Sequence, residues 1–440
     1  GHQDFSEDTY RTLTAVDSAV MLLDAASGVE EQTLKLFKVC RMQKTPLMAF
    51  INKMDRPGKD PFDLLKEIED VLGIATYPIN WPVGMGEDFQ GVYDRIKKGL
   101  LIYRKNIDRS QKASFLSLSL EDPKLVDIIG DELTCKLRED IELIEIAGDS
   151  FDMQDYLAGK LAPVFFGSAI NSFGVESFLD HFSKIAPSPC VQKAKQRVVS
   201  PEEDKFSSFI FKIQANMDPN HRDRVAFMRV CSGKFERGMK AFHVRSKKNM
   251  RLGRPTQFMA QDRSLVDVAY PGDIVGIHDP GVFKIGDSLS EGELLQYIGI
   301  PVFAPEHFYR VQLKDPLKSK QLSKGLTQLS EEGAVQVFYP LNSSDQYIGV
   351  VGVLQIDVVK FRIKEEYGVK VDMQALPFKA ARWITSDNDK ELRDFVKLQS
   401  SNICLDRDKN HTLLVEQDWR LKLYRERNPN IVFHATSELL

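Results

Sequence analysis

The chain has 440 residues, more than one hydrophobic core usually serves, and this length predicts about three domains. Its composition is typical of soluble globular proteins, with 42% hydrophobic and 28% charged residues and no apolar run of the roughly 18 residues that a membrane span requires. Lys and Arg number 59 and Asp and Glu number 63, so the net charge of -4 excludes a protein that binds nucleic acid through bulk positive charge. We therefore expect no membrane partner and no DNA partner.

The cysteines and histidines give no sign of a metal site. The five cysteines are far apart, and none forms a Cys-x-x-Cys pair that would suggest zinc or a redox dithiol. The histidines also lack the spacing of zinc ligands. We therefore predict no metal-binding residues in this chain, and the unpaired cysteines favour the reducing cytoplasm as its compartment.

The first 200 residues alternate apolar runs with helical patterns, which predicts an α/β fold with a doubly wound parallel sheet. Three continuous apolar runs are typical of strands covered on both faces, at 19–23, 47–51 and 163–166. Helical spacing follows at 30–42, 60–73 and 174–184. A charged insertion that favours helix is expected at about 94–157, within a nucleotide-binding domain of residues 1–200.

The helix predicted at 60–73 carries clear signals at both ends. Asp60 is the expected N-cap, and Pro61 occupies the first helical position, where its missing N–H costs nothing. Gly73 marks the end, because glycine adopts the left-handed conformation that commonly closes a helix. These signals fix the bounds of this helix more firmly than hydrophobic spacing alone.

A linker separates the first domain from a region of different character. The Ala-Pro-Ser-Pro segment at 186–189 and the polar residues after it place the boundary near residue 200. Beyond it the sequence consists of short alternating strands and Gly turns, which predicts a small β-barrel over 205–304.

The last region, 305–440, is predicted to be an α+β ferredoxin-like domain. Its first elements follow the split βαβ order of that fold, namely strand 308–313, helix 318–332, strand 334–339, strand 347–351, helix 353–367 and strand 369–375. The rest, with a helix near 389–399 and a last strand at 431–434, is expected to extend the same domain. No internal repeat is visible in the sequence.

The segment Asn52-Lys53-Met54-Asp55 comes directly after a predicted buried strand, where open α/β sheets bind their ligands. The Asp55 carboxylate can accept two hydrogen bonds from the ring N–H and amino group of guanine, a pairing that adenine cannot offer. The Asn52 amide can bond the base and tie neighbouring loops together, and the alkyl stem of Lys53 can lie across the base. The tetrad therefore predicts guanine binding, although such residues are also common in solvated turns.

Gly167-Ser168-Ala169 follows another predicted strand of the same sheet. Small residues often end strands, so this tripeptide is a weak signal by itself. Beside the tetrad, its backbone N–H groups could meet the guanine oxygen from the other side of the base. Ser168 and Ala169 are therefore candidate GTP-binding residues.

The first five residues, Gly1-His2-Gln3-Asp4-Phe5, carry a family resemblance. They match the second half of the Asp-x-Pro-Gly-His-x-Asp-Phe motif of translation-factor GTPases. Gly1 and His2 could instead be the scar of a cleaved tag, but Asp4 and Phe5 continue the motif, and the Asp-Ala-Ala-Ser-Gly-Val segment at 24–29 also follows as in that family.

Longer matches extend this resemblance along the whole chain. The segments at 81–92, 211–229 and 329–338 are similar to the release factor 3 family of translational GTPases. The resemblance implies binding of GTP and GDP, GTP hydrolysis stimulated by the ribosome, and release of class I release factors after peptide release. In that family the Gly amide, here Gly1, contacts the γ-phosphate and the His, here His2, positions the attacking water. Ribosomal RNA and ribosomal proteins are the implied partners, in the cytoplasm.

One departure from the family and two alternatives remain open. The family's Gly-rich phosphate loop and its Mg²⁺ ligands do not occur in this sequence, and we expect them upstream of Gly1. Elongation factor G shares the nucleotide motifs, but it continues beyond its third domain, whereas this chain is expected to end soon after one ferredoxin-like unit. A ribosome-binding module that does not hydrolyse GTP is the other alternative.

Overall fold

The computed structural model describes residues 6–102, 114–147, 150–215, 224–253, 256–259, 262–279, 281–300 and 304–436. The chain forms two compact units, one of Val16–Pro189 and one of Gly1–Ala15 with Cys190–Leu440. Helix α1 (Ser6–Leu13) therefore belongs to the same unit as the C-terminal 251 residues of the chain, from Cys190 to Leu440. The predicted division into three domains, at about 200 and 305, stays a prediction.

The unit Val16–Pro189 has a parallel sheet and a small antiparallel sheet. Its described strands are β1 (Ala19–Asp24), β2 (Leu47–Asn52), β3 (Ala75–Pro78), β4 (Asn80–Val83), β5 (Gly91–Asp94), β6 (Gly99–Ile102), β7 (Ser114–Leu116) and β8 (Leu161–Phe166). Its described helices are α2 (Glu31–Gln43), α3 (Pro61–Leu72), α4 (Lys124–Ile129), α5 (Asp131–Ala147), α6 (Met153–Leu157) and α7 (Val175–Ile185).

The parallel sheet has the order β1-β2-β8-β3 and contains all three strands predicted from apolar runs. Asp24, the last residue of β1, is in register with Asn52, the last residue of β2. Ile51 of β2 pairs in the same way with Phe166, the last residue of β8. Because the three strands run parallel and end together, the loops after β1, β2 and β8 emerge at one edge of the sheet.

The antiparallel sheet has the order β4-β5-β6-β7, and its first strand is hydrogen-bonded to the end of β8. The Asn80 side chain donates to the Phe166 carbonyl (3.1 Å) and accepts from the Phe166 amide (2.7 Å). Strands β6 and β7 lie inside the segment 94–157, which the sequence predicts as helix-leaning. That prediction holds for α4, α5 and α6 only, since the first part of the segment is β-structure.

The barrel region of the second unit is β-rich, as predicted. Its described strands are β9 (Gln192–Lys193), β10 (Val198–Val199), β11 (Ser207–Ala215), β12 (Arg224–Ser232), β13 (Phe235–Glu236), β14 (Lys240–His243), β15 (Lys248–Arg251), β16 (Thr256–Met259), β17 (Asp262–Leu265), β18 (Val268–Ala269), β19 (Ile274–His278) and β20 (Ser288–Ser290). Eight of them form one antiparallel sheet in the order β15-β14-β20-β11-β12-β19-β16-β17, around a core that includes Phe206, Ile210, Met228 and Val275.

A ferredoxin-like arrangement follows with the six elements that the sequence predicts. They are β21 (His307–Leu313), α8 (Ser319–Glu331), β22 (Gln336–Pro340), β23 (Gln346–Val350), α9 (Gln355–Tyr367) and β24 (Val371–Ala375). The strand order β24-β21-β23-β22 is that of a split βαβ fold. The prediction of a ferredoxin-like α+β region is confirmed, and each predicted boundary lies within about two residues of the observed one.

The rest of the chain repeats this topology. It comprises β25 (Ala380–Ser386), α10 (Asp389–Leu398), β26 (Ile403–Asp406), β27 (His411–Val415), α11 (Asp418–Arg427) and β28 (Ile431–His434), with the strand order β26-β27-β25-β28. Antiparallel pairing of β22 with β26 joins both halves into one eight-stranded sheet. The expectations of a single ferredoxin-like unit and of no internal repeat are therefore wrong. The two halves share the order of their elements and strands, which is a repeat of topology.

No helix in the described part of the chain is both long enough and apolar enough to cross a bilayer.

Candidate functional site

Backbone hydrogen bonds connect the three loops at the carboxyl edge of the parallel sheet. The Ala25 amide after β1 donates to the Asn52 carbonyl (3.0 Å), and the Gly167 amide after β8 donates to the Ile51 carbonyl (3.0 Å). The Met54 amide in turn donates to the Gly167 carbonyl (3.1 Å). The predicted tetrad and tripeptide therefore lie side by side, on loops held by the ends of their strands.

Asn52 joins the loop after β2 to the loop after β8. Its Oδ1 accepts hydrogen bonds from the amides of Lys53 and Ala169, both at 2.8 Å. This arrangement agrees with the expectation that Asn52 ties neighbouring loops together. Because Oδ1 already accepts these two hydrogen bonds, the NH₂ group of the Asn52 side chain is the group that could donate to a base.

The tripeptide Gly167-Ser168-Ala169 is already hydrogen-bonded within the protein. Ser168 is fully buried, its amide donates to the Phe173 carbonyl (3.1 Å), and its hydroxyl accepts from Asn171 (2.9 Å). The Ala169 amide is exposed and donates to Asn52. A guanine oxygen at this place would have to share the Ala169 hydrogen with Asn52 or replace Asn52, so the GTP-binding role of Ser168 and Ala169 stays a prediction.

Asp55 has one carboxylate oxygen without a hydrogen-bond partner among the described residues. This atom, Oδ1, is closed off from solvent. A buried acceptor without a donor costs about 1–3 kcal/mol, and more when it is charged, so proteins rarely leave one unsatisfied without a reason. Two N–H donors of a guanine would satisfy this carboxylate. This unpartnered oxygen agrees with a binding role for Asp55, and guanine as its ligand stays a prediction.

Lys53 is held by a residue that the sequence does not single out. The Lys53 backbone has a left-handed φ of 70°, and its ammonium lies 2.5 Å from Oδ2 of Asp24, the last residue of β1. The hydrogen bonds from Lys53 and from the Ala26 amide keep the pKa of the Asp24 carboxyl below its ordinary value. The signal that could have indicated Asp24 is its place at the end of the strand next to Asn52.

The remaining predicted site residues, Gly1 and His2, lie outside the described residues. Helix α1 begins directly after their segment, at Ser6. Within the described parts of the chain, no group of three or more His, Cys, Asp and Glu side chains could hold a metal ion.

The carboxyl edge of the parallel sheet, with Asn52, Lys53, Asp55 and the loop of Ser168 and Ala169, is called the guanine edge below, after the ligand predicted for it. A parallel sheet with this edge, followed by a β-barrel and ferredoxin-like units, is the architecture of a GTPase of the translation-factor class. Residues 1–188 match the sequence model "Elongation factor Tu GTP binding domain", and residues 205–292 match "Elongation factor G domain 2". Residues 297–425 match "Class II release factor RF3, C-terminal domain". The chain is 52% identical to peptide chain release factor 3 of Symbiobacterium thermophilum, over 100% of this chain and 83% of that protein. The chain belongs to the peptide chain release factor 3 family.

Structural comparison agrees at the level of the fold. A crystal structure from Thermus thermophilus matches 88% of this chain with a TM-score of 0.67 and 20% sequence identity, and this chain spans 59% of that one. The prediction of a GTPase that acts in translation termination is confirmed by the family. The sequence analysis used one ferredoxin-like unit to favour release factor 3 over elongation factor G. The structure has two such units, so their number does not favour release factor 3. The match of residues 297–425 to the C-terminal domain of class II release factor RF3 supports the release factor 3 family instead.

Proposed function

We propose that this protein is a ribosome-dependent GTPase that promotes the dissociation of class I release factors after the peptide has been released. The observation that carries the guanine part of the proposal is Asp55, whose buried Oδ1 lacks a donor. The family supplies the link to termination. Water attacks the γ-phosphorus of GTP, and the bond to the β,γ-bridging oxygen breaks to give GDP and inorganic phosphate.

The residues of the guanine edge have separate tasks in this proposal. Asp55 selects guanine, Asn52 bonds the base and holds the loop after β8, and Lys53 covers one face of the base while Asp24 holds its ammonium. Gly1 contacts the γ-phosphate, and His2 orients the attacking water. Positioning and charge stabilisation supply most of the catalysis of phosphoryl transfer, so these groups bind and orient rather than react.

The implied cofactor and partners follow from the family. Mg²⁺ accompanies the nucleotide in GTPases and offsets the charge of its phosphates. Ribosomal RNA and ribosomal proteins are the proposed binding surfaces, since the ribosome completes the site that hydrolyses GTP. The proposed compartment is the cytoplasm, where ribosomes and class I release factors meet.

The test uses the protein expressed from its complete gene and ribosomes that carry a labelled class I release factor after peptide release. With GTP, the protein should speed departure of the labelled factor, because its GTP-bound form must favour a ribosomal state that the bound factor does not. It should not move transfer RNA and messenger. Translocation without faster factor departure would support elongation factor activity instead, and no dependence on GTP in either assay would support a binding module that does not hydrolyse GTP.

A further inference from the structure

Helix α11 is held against the last sheet by the residues on its inner side. Leu421 is buried in the core of the second ferredoxin-like half, and Tyr424 packs against the same core. The Tyr424 ring lies 5.7 Å from the Phe395 ring of α10, measured between centroids, and its hydroxyl donates to Oε1 of Gln399 (3.0 Å). These contacts fix which side of α11 faces the protein, so the residues on its other side face solvent.

The outer side of α11 carries an exposed tryptophan. The chain has three tryptophans, of which Trp81 and Trp383 are buried, whereas Trp419 is 57% exposed. The Trp419 indole donates from Nε1 to the side chain of Gln417, and the Arg420 guanidinium lies 5.7 Å from the centroid of its ring. Single apolar residues on a protein surface are common, so the meaning of this indole depends on the charges beside it.

Basic side chains predominate on α11, although the whole chain has a net charge of -4. The basic residues of the helix are Arg420, Lys422, Arg425 and Arg427, and its acidic residues are Asp418 and Glu426. Arg420 is paired with Glu416 (3.1 Å). Lys422 and Arg425 are exposed, lie on one side of the helix at i and i+3, and form no ion pair with another described residue. Their charges are therefore available to a partner.

Arg382 of β25 adds a further positive charge beside the helix. It is half-buried, donates from Nη1 to the Ala381 carbonyl (2.7 Å), and forms no ion pair with another described residue. Burial and the charge of Arg425 hold the pKa of Arg382 below its ordinary value, and the charge of Asp418 opposes this less strongly. Two guanidinium groups that repel each other favour a bound anion, because one anion can accept hydrogen bonds from both.

We propose that the outer side of α11, with the arginine beside it, binds RNA, its cations on phosphate oxygens and its indole stacked on an unpaired base. This surface, the α11 face, comprises Arg382, Trp419, Lys422 and Arg425. Phosphate accepts the paired hydrogen bonds that a guanidinium donates, and every base has a face on which an indole can stack. An anionic membrane binds a helix through its apolar side, and that side of α11 is buried in the core. This inference rests on the proposed function, because the RNA it names is that of the ribosome.

The test measures binding of a labelled oligouridylate of about ten nucleotides to the protein expressed from its complete gene, by fluorescence anisotropy at several salt concentrations. Trp419→Ala should weaken binding by about 5- to 100-fold because base stacking is lost, with the dependence on salt unchanged. Trp419→Phe keeps a stacking ring and should stay within about 3-fold of wild type. Arg425→Ala should weaken binding and lower the slope of log K against log salt by about 0.7, the value for one phosphate contact on a single strand.

Arg393→Ala on α10 is the matched control. Arg393 is also an exposed arginine on a helix of the same ferredoxin-like half, but the basic residues of α10 are balanced by Asp389, Glu391 and Asp394. This variant should bind oligouridylate within about 2-fold of wild type. On ribosomes, Trp419→Ala and Arg425→Ala should raise the KM for ribosomes in GTP hydrolysis and leave kcat unchanged, because they remove binding contacts and no catalytic group.

Equal oligouridylate binding by Trp419→Ala, Arg425→Ala and Arg393→Ala would overturn the proposal, and so would a wild-type protein that does not bind oligouridylate. Binding of inorganic polyphosphate or of phosphatidylglycerol vesicles as tight as that of oligouridylate would also overturn it, since neither ligand offers a base. Oligouridylate binding needs neither GTP nor a release factor. A wild-type protein that binds RNA through the α11 face but does not speed factor departure would therefore refute the proposed function and leave the RNA site standing.

Discussion

The guanine edge and the cluster of arginine side chains around residues 331–333 are built in opposite ways. The guanine edge uses short runs of sequence, each at the end of one strand of a parallel sheet, so residues close in sequence perform one task. The cluster around residues 331–333 collects single residues from all over the second unit, which are Arg11, Arg224, Glu331, Glu332, Gly333 and Arg362. The first region has the arrangement expected of a ligand site, and the second holds a helix in place.

This contrast predicts what a change in each region should alter. The loops of the guanine edge are held by backbone hydrogen bonds within Val16–Pro189, so a change there should alter which nucleotide is bound. The arginines around residues 331–333 make side-chain contacts that hold α1 within the second unit, so a change there should alter the stability of those contacts rather than the choice of nucleotide. The variants below change nucleotide preference, the stability of the core or a helix cap, and each tests one part of this contrast.

The largest effect is expected from Asp55→Asn. This change replaces one acceptor oxygen with an NH₂ donor, so the site should reject GTP and prefer XTP, which has a carbonyl at the corresponding position of the base. A site built for a substrate N–H discriminates by about 10⁴ or more, so the ratio of GTP affinity to XTP affinity should change by that order. Competition binding measures this ratio. An unchanged ratio would show that Asp55 does not bind the guanine base.

Phe338→Ala tests whether both ferredoxin-like halves share one core. The Phe338 ring is fully buried, 5.9 Å from Phe308 of the first half and 6.2 Å from Trp383 of the second half, measured between centroids. Removing it should lower the free energy of unfolding by about 3–5 kcal/mol. Phe361→Ala on α9 is the control, because that ring is 64% exposed and its loss should cost below about 0.5 kcal/mol. Similar losses for both variants, measured by urea unfolding, would contradict the shared core.

Asp94→Asn tests a buried contact between β5 and α7. Asp94 is fully buried and lies 2.9 Å from Nε2 of His181 on α7. Burial disfavours its charged form, but the hydrogen bonds from His181 and the Lys97 amide outweigh burial and keep the pKa of Asp94 below its ordinary value. Its charge therefore stabilises the fold above the unfolded-state pKa of about 4, and this contribution is lost as pH falls through the folded-state pKa.

At pH 7 the Asp94→Asn variant should lose about 2 kcal/mol of unfolding free energy, and the difference from wild type should shrink at pH 3. Urea unfolding at both pH values, with amide exchange of residues 91–94 as the local readout, measures this. Asp180→Asn is the control, because Asp180 forms an exposed pair with Lys97 that should contribute little at either pH. A difference that is the same at pH 7 and pH 3 would show that the charge of Asp94 is not involved.

Asp60→Ala should have the smallest effect. The Asp60 side chain accepts a hydrogen bond from the Phe62 amide (2.9 Å) at the start of α3, as its predicted N-cap role requires. Removing a cap costs about 1 kcal/mol, and nucleotide affinity should not change. Thermal unfolding measures the loss, with Asp63→Ala in the first turn of α3 as a control that keeps the cap. Equal stability of Asp60→Ala and wild type would show that the cap contributes nothing.

Local signals in the sequence were sufficient for much of the fold. The apolar runs predicted β1, β2 and β8, and Asp60 and Gly73 predicted both ends of α3. The order of elements from β21 to β24 followed from periodicity alone. These features depend on neighbours within one turn or one strand, which a single sequence displays directly.

Features that depend on distant residues were not predictable in the same way. Strands β4 to β7 have only three or four residues each, too few for a clear alternation. Asp24 is notable only because β1 and β2 end in register, and Arg11 only because Gly333 leaves room for its guanidinium. The topological repeat in the last 130 or so residues depends on which strands pair across the whole region, which the order of elements along the sequence does not show.

The most direct test asks whether the base bound at Asp55 determines the rate of release factor departure from the ribosome. The Asp55→Asn protein is mixed with post-termination ribosomes that carry a labelled class I release factor, and the rate of factor departure is measured with GTP and with XTP. With XTP, the Asp55→Asn protein should release the factor at nearly the rate of the wild-type protein with GTP. GTP at the same concentration should not restore this rate. A variant that works with GTP as well as wild type, or that fails with XTP although it binds XTP, would contradict the claim that guanine bound at Asp55 drives factor release.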